Sequence, residues 1–350
     1  MGAVGSVLKG LLFQSARVEP VVNDKKKETD PLRMLWRRSE GPMVNGIDID
    51  YSYYSPVENG ADPAKTYPLV VIMAGALEGV VPGFELEANS LALWTAERYQ
   101  ARFHNGAAFL LIGRAPEEQK LYWDSSRVVL PFKAAIDAFV AEHSQVDTSR
   151  IYTVGWCLGG TGALNLLSSF PGFFAAGFVI SPSRAATKAE AELLNETPVW
   201  LMGCKSDNYI SFHRIIQKSW TRIKTANQNP SALRFTQCSS APDVYLAGVI
   251  PFIQNHDMWD DLAEDLHPET KKCEGMKTGT GAGTAVMNPF AIEWLSSFTR
   301  TEKAAQDCKK EWKKDVPVLF YEKTAVPRRA LVVLIMLHLL DHLHYIQLYH

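Results

Sequence analysis

The sequence predicts an α/β fold, a mostly parallel central sheet with helices on both faces, and three observations carry that expectation. Near-continuous apolar runs recur at residues 68–73, 107–112, 151–155, 175–180 and 198–202, as expected of parallel strands covered on both sides. Helical patterns fall between them, at 91–99, 128–143, 158–170, 185–194 and 210–225, and such alternation implies right-handed βαβ crossovers. Third, Arg150-Ile151-Tyr152-Thr153-Val154-Gly155-Trp156-Cys157-Leu158-Gly159-Gly160 reads as a strand running straight into a G-x-C-x-G-G turn.

Taken in chain order, residues 1–44 form a poorly patterned N-terminal extension, and residues 45–300 form the folded domain. Val44, Ile47, Ile49, Tyr51 and Tyr53 alternate in the manner of a strand or hairpin. Asn59-Gly60 and Asp62-Pro63 mark a turn before the first apolar run. Val140 to Asp147 close one helix and lead into the strand that carries the glycine-framed turn. The helix beyond that turn stops at Pro171-Gly172. Thr278 to Gly283 read as a flexible insertion before a last helix at 289–298; their glycines lack the Lys-Ser/Thr and the preceding strand of a phosphate loop. Residues 301–350 form a C-terminal extension with an apolar helix, whose run ending before Asp341 is shorter than the ~20 residues of a membrane span.

Composition narrows the function. The chain has 350 residues and a formal net charge of −2, with no basic stripe interleaved with aromatics, which argues against a nucleic-acid partner. Five cysteines without C-x-x-C spacing indicate neither a disulfide framework nor a zinc site. Met1-Gly2-Ala3-Val4-Gly5-Ser6 meets the loose pattern for N-terminal acylation, but nothing else supports it. The apolar piece from Val7 to Phe13, interrupted by Lys9, is too short for a signal-peptide core. A cytoplasmic protein is expected, and membrane-surface association through the C-terminal helix is disfavoured. His338, Asp341, His342 and His344 have helical spacing, but neither a metal nor a cofactor is expected.

The chemistry is expected at the carboxyl ends of the strands. Cys157 occupies the place of the nucleophile in a strand-turn-helix elbow, where flanking glycines admit neighbouring backbone and the side chain is pushed toward substrate. Cysteine is often a buried, inert thiol, so partners decide the matter. Asp207 follows the run at 198–202, and His256 follows an expected last strand. The chain order Cys157, Asp207, His256 is that of nucleophile, acid and base. His213, within a helical pattern, and His267, in a loop, are weaker candidates for the base.

These residues carry a resemblance. Tyr67-Pro68-Leu69-Val70-Val71 with Gly75, Asp147-Thr148-Ser149-Arg150-Ile151-Tyr152, Lys205-Ser206-Asp207 and His256-Asp257-Met258-Trp259 resemble the esterase and predicted-peptidase branch of the α/β-hydrolases, near feruloyl esterases and polyhydroxyalkanoate depolymerases. The cysteine elbow is similar to that of dienelactone hydrolase. The resemblance implies an α/β-hydrolase fold over residues 45–300. It further implies an oxyanion site of the backbone N–H groups of Ala76 and Leu158. The His-Gly usual in that family is Ala74-Gly75 here, a change that leaves main-chain donors in place. Glu78, Trp123 and Trp156 are candidate substrate contacts.

The expected reaction is hydrolysis of a carboxylic ester or lactone through a Cys-His-Asp triad and a thioester acyl-enzyme. A thiol is a few per cent ionised at neutral pH unless a histidine and a helix N-terminus favour the thiolate. Two alternatives are a non-catalytic scaffold of the same fold that binds a small ligand or partner, and a peptidase.

Overall fold

The computed structural model describes residues 32–75, 90–116, 119, 121–246, 250–287 and 289–300. Statements about the N-terminal acylation pattern, Ala76, Glu78 and the C-terminal apolar helix therefore fall outside the described residues.

Among the described residues, six parallel strands form the centre of a ten-stranded sheet. In chain order these are β3 (Tyr67–Met73), β4 (Phe109–Gly113), β5 (Val146–Trp156), β6 (Ala176–Ile180), β7 (Val199–Cys204) and β8 (Arg234–Cys238). In space they run β4-β3-β5-β6-β7-β8. β3, β4, β6 and β7 are buried along their whole length, which explains why they read as apolar runs rather than as alternation.

Antiparallel pairs close both edges. β1 (Arg37–Glu40) and β2 (Asp50–Tyr54) form a hairpin against β4. The alternating residues from Val44 to Tyr53 thus cover the hairpin's turn and return strand, and the sheet reaches back to Arg37. β11 (Lys277–Thr280) and β12 (Ala285–Val286) continue from β8 at the other edge. The stretch from Thr278 to Gly283, expected to be a flexible insertion, is instead part of this hairpin. Pairing with β8, including a 2.7 Å hydrogen bond between the Thr236 and Thr278 hydroxyls, outweighs its glycine content.

Helices cover both faces: α2 (Val129–Glu142), α3 (Leu158–Ser169), α4 (Lys188–Leu193), α5 (Lys218–Ala226), α6 (Trp259–Ala263) and α7 (Ala291–Ser296), after a single turn α1 (Glu97–Gln100). Two helical patterns divide on folding. Residues 91–99 become a 3₁₀ stretch, Ser90–Thr95, followed by α1. Residues 210–225 become a π-helical stretch, Phe212–Gln217, followed by α5.

The strand order places the site. β3 is flanked by β4 on one side and β5 on the other, so the connections after β3 and β5 leave in opposite directions. A crevice opens at such a reversal, outside the strands' carboxyl ends. Among the described residues, no helix is long and apolar enough to cross a membrane.

Candidate active site

Cys157 sits where β5 becomes α3. Parallel pairing of β5 with β3 and β6 ends at Met73↔Gly155 and Trp156↔Ile180, so the chain reverses into the helix at the sheet's upper rim. The Cys157 amide donates to the Ile180 carbonyl at 3.0 Å, and its own carbonyl accepts from the Thr161 amide at 3.2 Å. Between these anchors Cys157 is held at φ 57° and ψ −118°, a sparsely populated conformation for a residue with a side chain. The close approach explains the glycines: a Cβ at Gly159 would overlap the carbonyl oxygens of Met73 and Ala74, and one at Gly155 would overlap the Gly159 carbonyl. Leu158 is the first residue of α3, so its amide has no intrahelical acceptor and is available to an anion.

Asp207 lies in the turn after β7. Its Oδ1 accepts from the amides of Tyr209 and Ile210, both at 2.8 Å. Oδ2 accepts from His256 Nδ1 at 2.6 Å. The two carboxylate oxygens thus divide the work, one fixing the turn and the other holding the imidazole ring. Both side chains are only 1% exposed.

His256 arrives by a longer route than expected. The strand before it, β10 (Ile250–Ile253), pairs with β9 (Val244–Leu246) in a separate two-stranded sheet and does not belong to the main one. The last parallel strand is β8, and β9 and β10 are inserted between it and the histidine. The histidine turn is nonetheless tied to the acid turn: the Asn208 amide donates to the Gln254 carbonyl at 3.3 Å, and the Gln254 amide donates to Asn208 Oδ1 at 3.0 Å. Asn255, at φ 57°, turns the chain, and its side chain accepts from the Ala241 amide at 3.2 Å.

With Nδ1 bound to Asp207, the free face of the imidazole is Nε2. It is enclosed and has no hydrogen-bond partner, and Cys157 is near enough for its charge to act on the ring. Burial pulls the His256 pKa down, but charge on Cys157 and the hydrogen-bonded Asp207 carboxylate outweigh it and push the value up to about 10. Tyr209, 44% exposed, lies nearly perpendicular to the imidazole, with 5.8 Å between ring centroids. Its phenol is pushed up by burial first, then by the charges of Cys157, Asp124 and Asp207.

The structure therefore brings together Cys157, Asp207 and His256 and puts the other histidines elsewhere. His213 hydrogen-bonds Gln217 on the π-helical stretch, and His267 accepts from the Glu269 amide and packs against Phe290. Trp123 is 1% exposed and packed on Phe132. Trp156 is 5% exposed, with its indole against His256 and Trp259. Neither the Trp156 contact nor the Asn208–Gln254 tie between the loops was expected from sequence. A cavity of about 350 Å³ between α5 and the β8–β11 edge, lined in part by Trp220 and Phe235, contains none of these residues. No group of three or more His, Cys, Asp or Glu able to hold a metal ion occurs among the described residues.

The parallel sheet, its flanking helices and the strained elbow make this an α/β-hydrolase fold. The chain is similar to a crystal structure of a thermostable esterase, with a TM-score of 0.57 and 20% identity over 77% of this chain and 64% of that one. It thus spans just under two thirds of that protein's length. Similarity to the acylaminoacyl peptidase of Pyrococcus horikoshii is slighter, with a TM-score of 0.41 and 12% identity over 55% of this chain and 35% of that one. No protein-family model and no curated sequence relative matches the chain.

Proposed function

We propose that the chain is a hydrolase of carboxylic esters or lactones in which Cys157 is the nucleophile, His256 the general acid and base, and Asp207 the group that orients it. The observation that best supports this reading is the single imidazole that joins Asp207 Oδ2 through Nδ1, leaves Nε2 unpartnered and out of contact with solvent, and lies within electrostatic reach of Cys157. A histidine enclosed in this way, with its Nδ1 on a carboxylate, favours its protonated form and has an unpartnered Nε2 from which to give or take a proton.

In the first half-reaction the Cys157 thiolate attacks the acyl carbon, and negative charge develops on the carbonyl oxygen. The Leu158 amide stabilises that charge, with the Ala76 amide as its partner by sequence; one such donor is worth about 2.7–4 kcal/mol in the transition state. Collapse breaks the carbon–oxygen bond, and Nε2 gives its proton to the departing alkoxide. The acyl group is left as a thioester. In the second half, Nε2 takes a proton from water, the hydroxide adds to the thioester, and the thiolate leaves to pair again with the imidazolium. The carboxylic acid is released.

A thiolate suits activated leaving groups, which favours aryl esters and lactones over ordinary peptides. The test is p-nitrophenyl acetate turnover by wild type, Cys157→Ala and His256→Ala, with alkylation of Cys157 followed against pH. Loss of turnover in both variants is expected. Unchanged turnover in both, with Cys157 titrating as an ordinary thiol, refutes the reading, and a panel of lactones and aryl esters defines the substrate.

A further inference from the structure

We propose that Trp156, the residue immediately before the nucleophile, is a positioning residue for His256. This inference rests on the reading of Cys157, His256 and Asp207 as the reacting groups. The indole Nε1–H donates to the main-chain carbonyl of His256 at 3.2 Å, across 100 residues of sequence. The ring lies against the imidazole at 5.2 Å between centroids and 37° between planes. Trp259 stacks on the indole at 6.1 Å and 27°. Trp156 is also the last residue of β5, paired with Ile180 in the centre of the sheet, so its backbone is fixed by strand pairing.

This one side chain performs two tasks. The N–H anchors the backbone of a loop that enters the site from an insertion outside the main sheet and has no strand of that sheet to hold it. The aromatic face lies within the ~6 Å range at which a ring attracts a cation, so it favours the imidazolium over the neutral imidazole. Asp207 supplies the charge and sets the tautomer, while Trp156 sets the height of the ring above the elbow and helps to exclude water. Because residues 156 and 157 are adjacent, any movement of the elbow carries the nucleophile and the support of its base together.

The test uses the full chain, with Trp156→Phe keeping a ring but losing the donor, and Trp156→Leu losing both. Two readouts are independent of turnover: the pH titration of the labelled His256 ring by NMR, and the exchange rate of its Nδ1 proton, which reports the bond to Asp207. In Trp156→Leu the His256 midpoint is expected to move to lower pH by about one unit. In Trp156→Phe it is expected to move less while Nδ1 exchange quickens, and kcat for p-nitrophenyl acetate is expected to fall with KM little changed. Titration and exchange identical to wild type in both variants overturn the inference, whatever happens to activity. If Trp156→Leu does not fold, Nδ1 exchange in Trp156→Phe decides the matter, and an unchanged rate overturns it. If wild type itself turns over no ester while the NMR changes occur, the proposed activity fails and the positioning role stands.

Discussion

Cys157 is held at φ 57° and ψ −118°, and two substitutions separate the strain of that conformation from the chemistry of the thiol. Cys157→Ala and Cys157→Gly both remove the sulfur and leave His256 Nε2 facing the same vacancy, so those losses cancel when the variants are compared with each other. At an ordinary buried position, exchanging Ala for Gly costs about 0.5–1 kcal/mol in chain entropy, and about 0.8 kcal/mol more for the buried carbon lost. A side-chain-bearing residue in so sparsely populated a region costs on the order of 1–3 kcal/mol, which the Ala variant retains and the Gly variant does not. Taking about 2 kcal/mol for the strain, Cys157→Gly is expected to be about 0.2–0.7 kcal/mol more stable than Cys157→Ala. Ala163, fully buried within α3, supplies the control: Ala163→Gly is expected to cost about 1.5 kcal/mol. Urea midpoints at constant slope measure all three variants. If Cys157→Gly is less stable than Cys157→Ala by as much as Ala163→Gly is less stable than wild type, the elbow stores no strain and the reasoning is wrong.

Three further outcomes are expected. Asp207→Asn keeps the shape of the acid but removes its charge, so kcat/KM for an aryl ester is expected to fall by about 10³–10⁴-fold and the His256 titration to move down from about 10; a loss under tenfold refutes the orienting role. Because the folded-state pKa of His256 is raised from 6.5 to about 10, its stabilising effect is complete below about pH 6.5 and lost as pH rises toward about 10. Denaturant midpoints are therefore expected to fall more steeply across that window in wild type than in His256→Gln. Arg102 pairs at 2.5 Å with Asp265, whose side chain is fully buried and also accepts from the Ile292 amide at 2.7 Å. Burial, only partly offset by those contacts, pushes the Asp265 pKa up to about 6. Arg102→Ala is expected to cost about 3–5 kcal/mol at pH 8 and less at pH 5, where the carboxyl holds its proton, as unfolding at the two pH values will show.

What was legible in the fold follows from burial. Runs such as Pro68 to Met73 are apolar because β3 is covered on both faces and joined on both edges, and no other environment selects that composition so strongly. β8 gave no such signal, because Arg234, Phe235 and Gln237 are only partly covered. β11 was hidden further, since Lys277 and Gly279 offset the strand preference of its two threonines and its pairing with β8 joins residues such as Lys277 and Gln237 that are 40 apart in sequence. The divided helices were unreadable for a different reason: the spacing of apolar residues hardly distinguishes an α turn from a 3₁₀ or π turn over so short a stretch.

The residues proposed as the site are marked in the sequence only where a local backbone constraint marks them. Cys157 needs glycines near it because carbonyl oxygens of β3 crowd the start of α3, so the motif is the imprint of a packing constraint and would survive in a chain that had lost its chemistry. Asp207 and His256 carry no such imprint, and only their order and their places after strands pointed to them. Their geometry adds what order could not supply. Asp207 spends one oxygen on its own turn and one on the imidazole, while the histidine loop, entering from an inserted hairpin, is held by Asn208 from the acid side and by Trp156 from the elbow side. A packing motif alone needs no tether between three separate loops, whereas the proposed base, which would have to keep one nitrogen on the acid and the other toward the thiol, would need them. The tethers are therefore better evidence of chemistry at this turn than the glycines that first mark it.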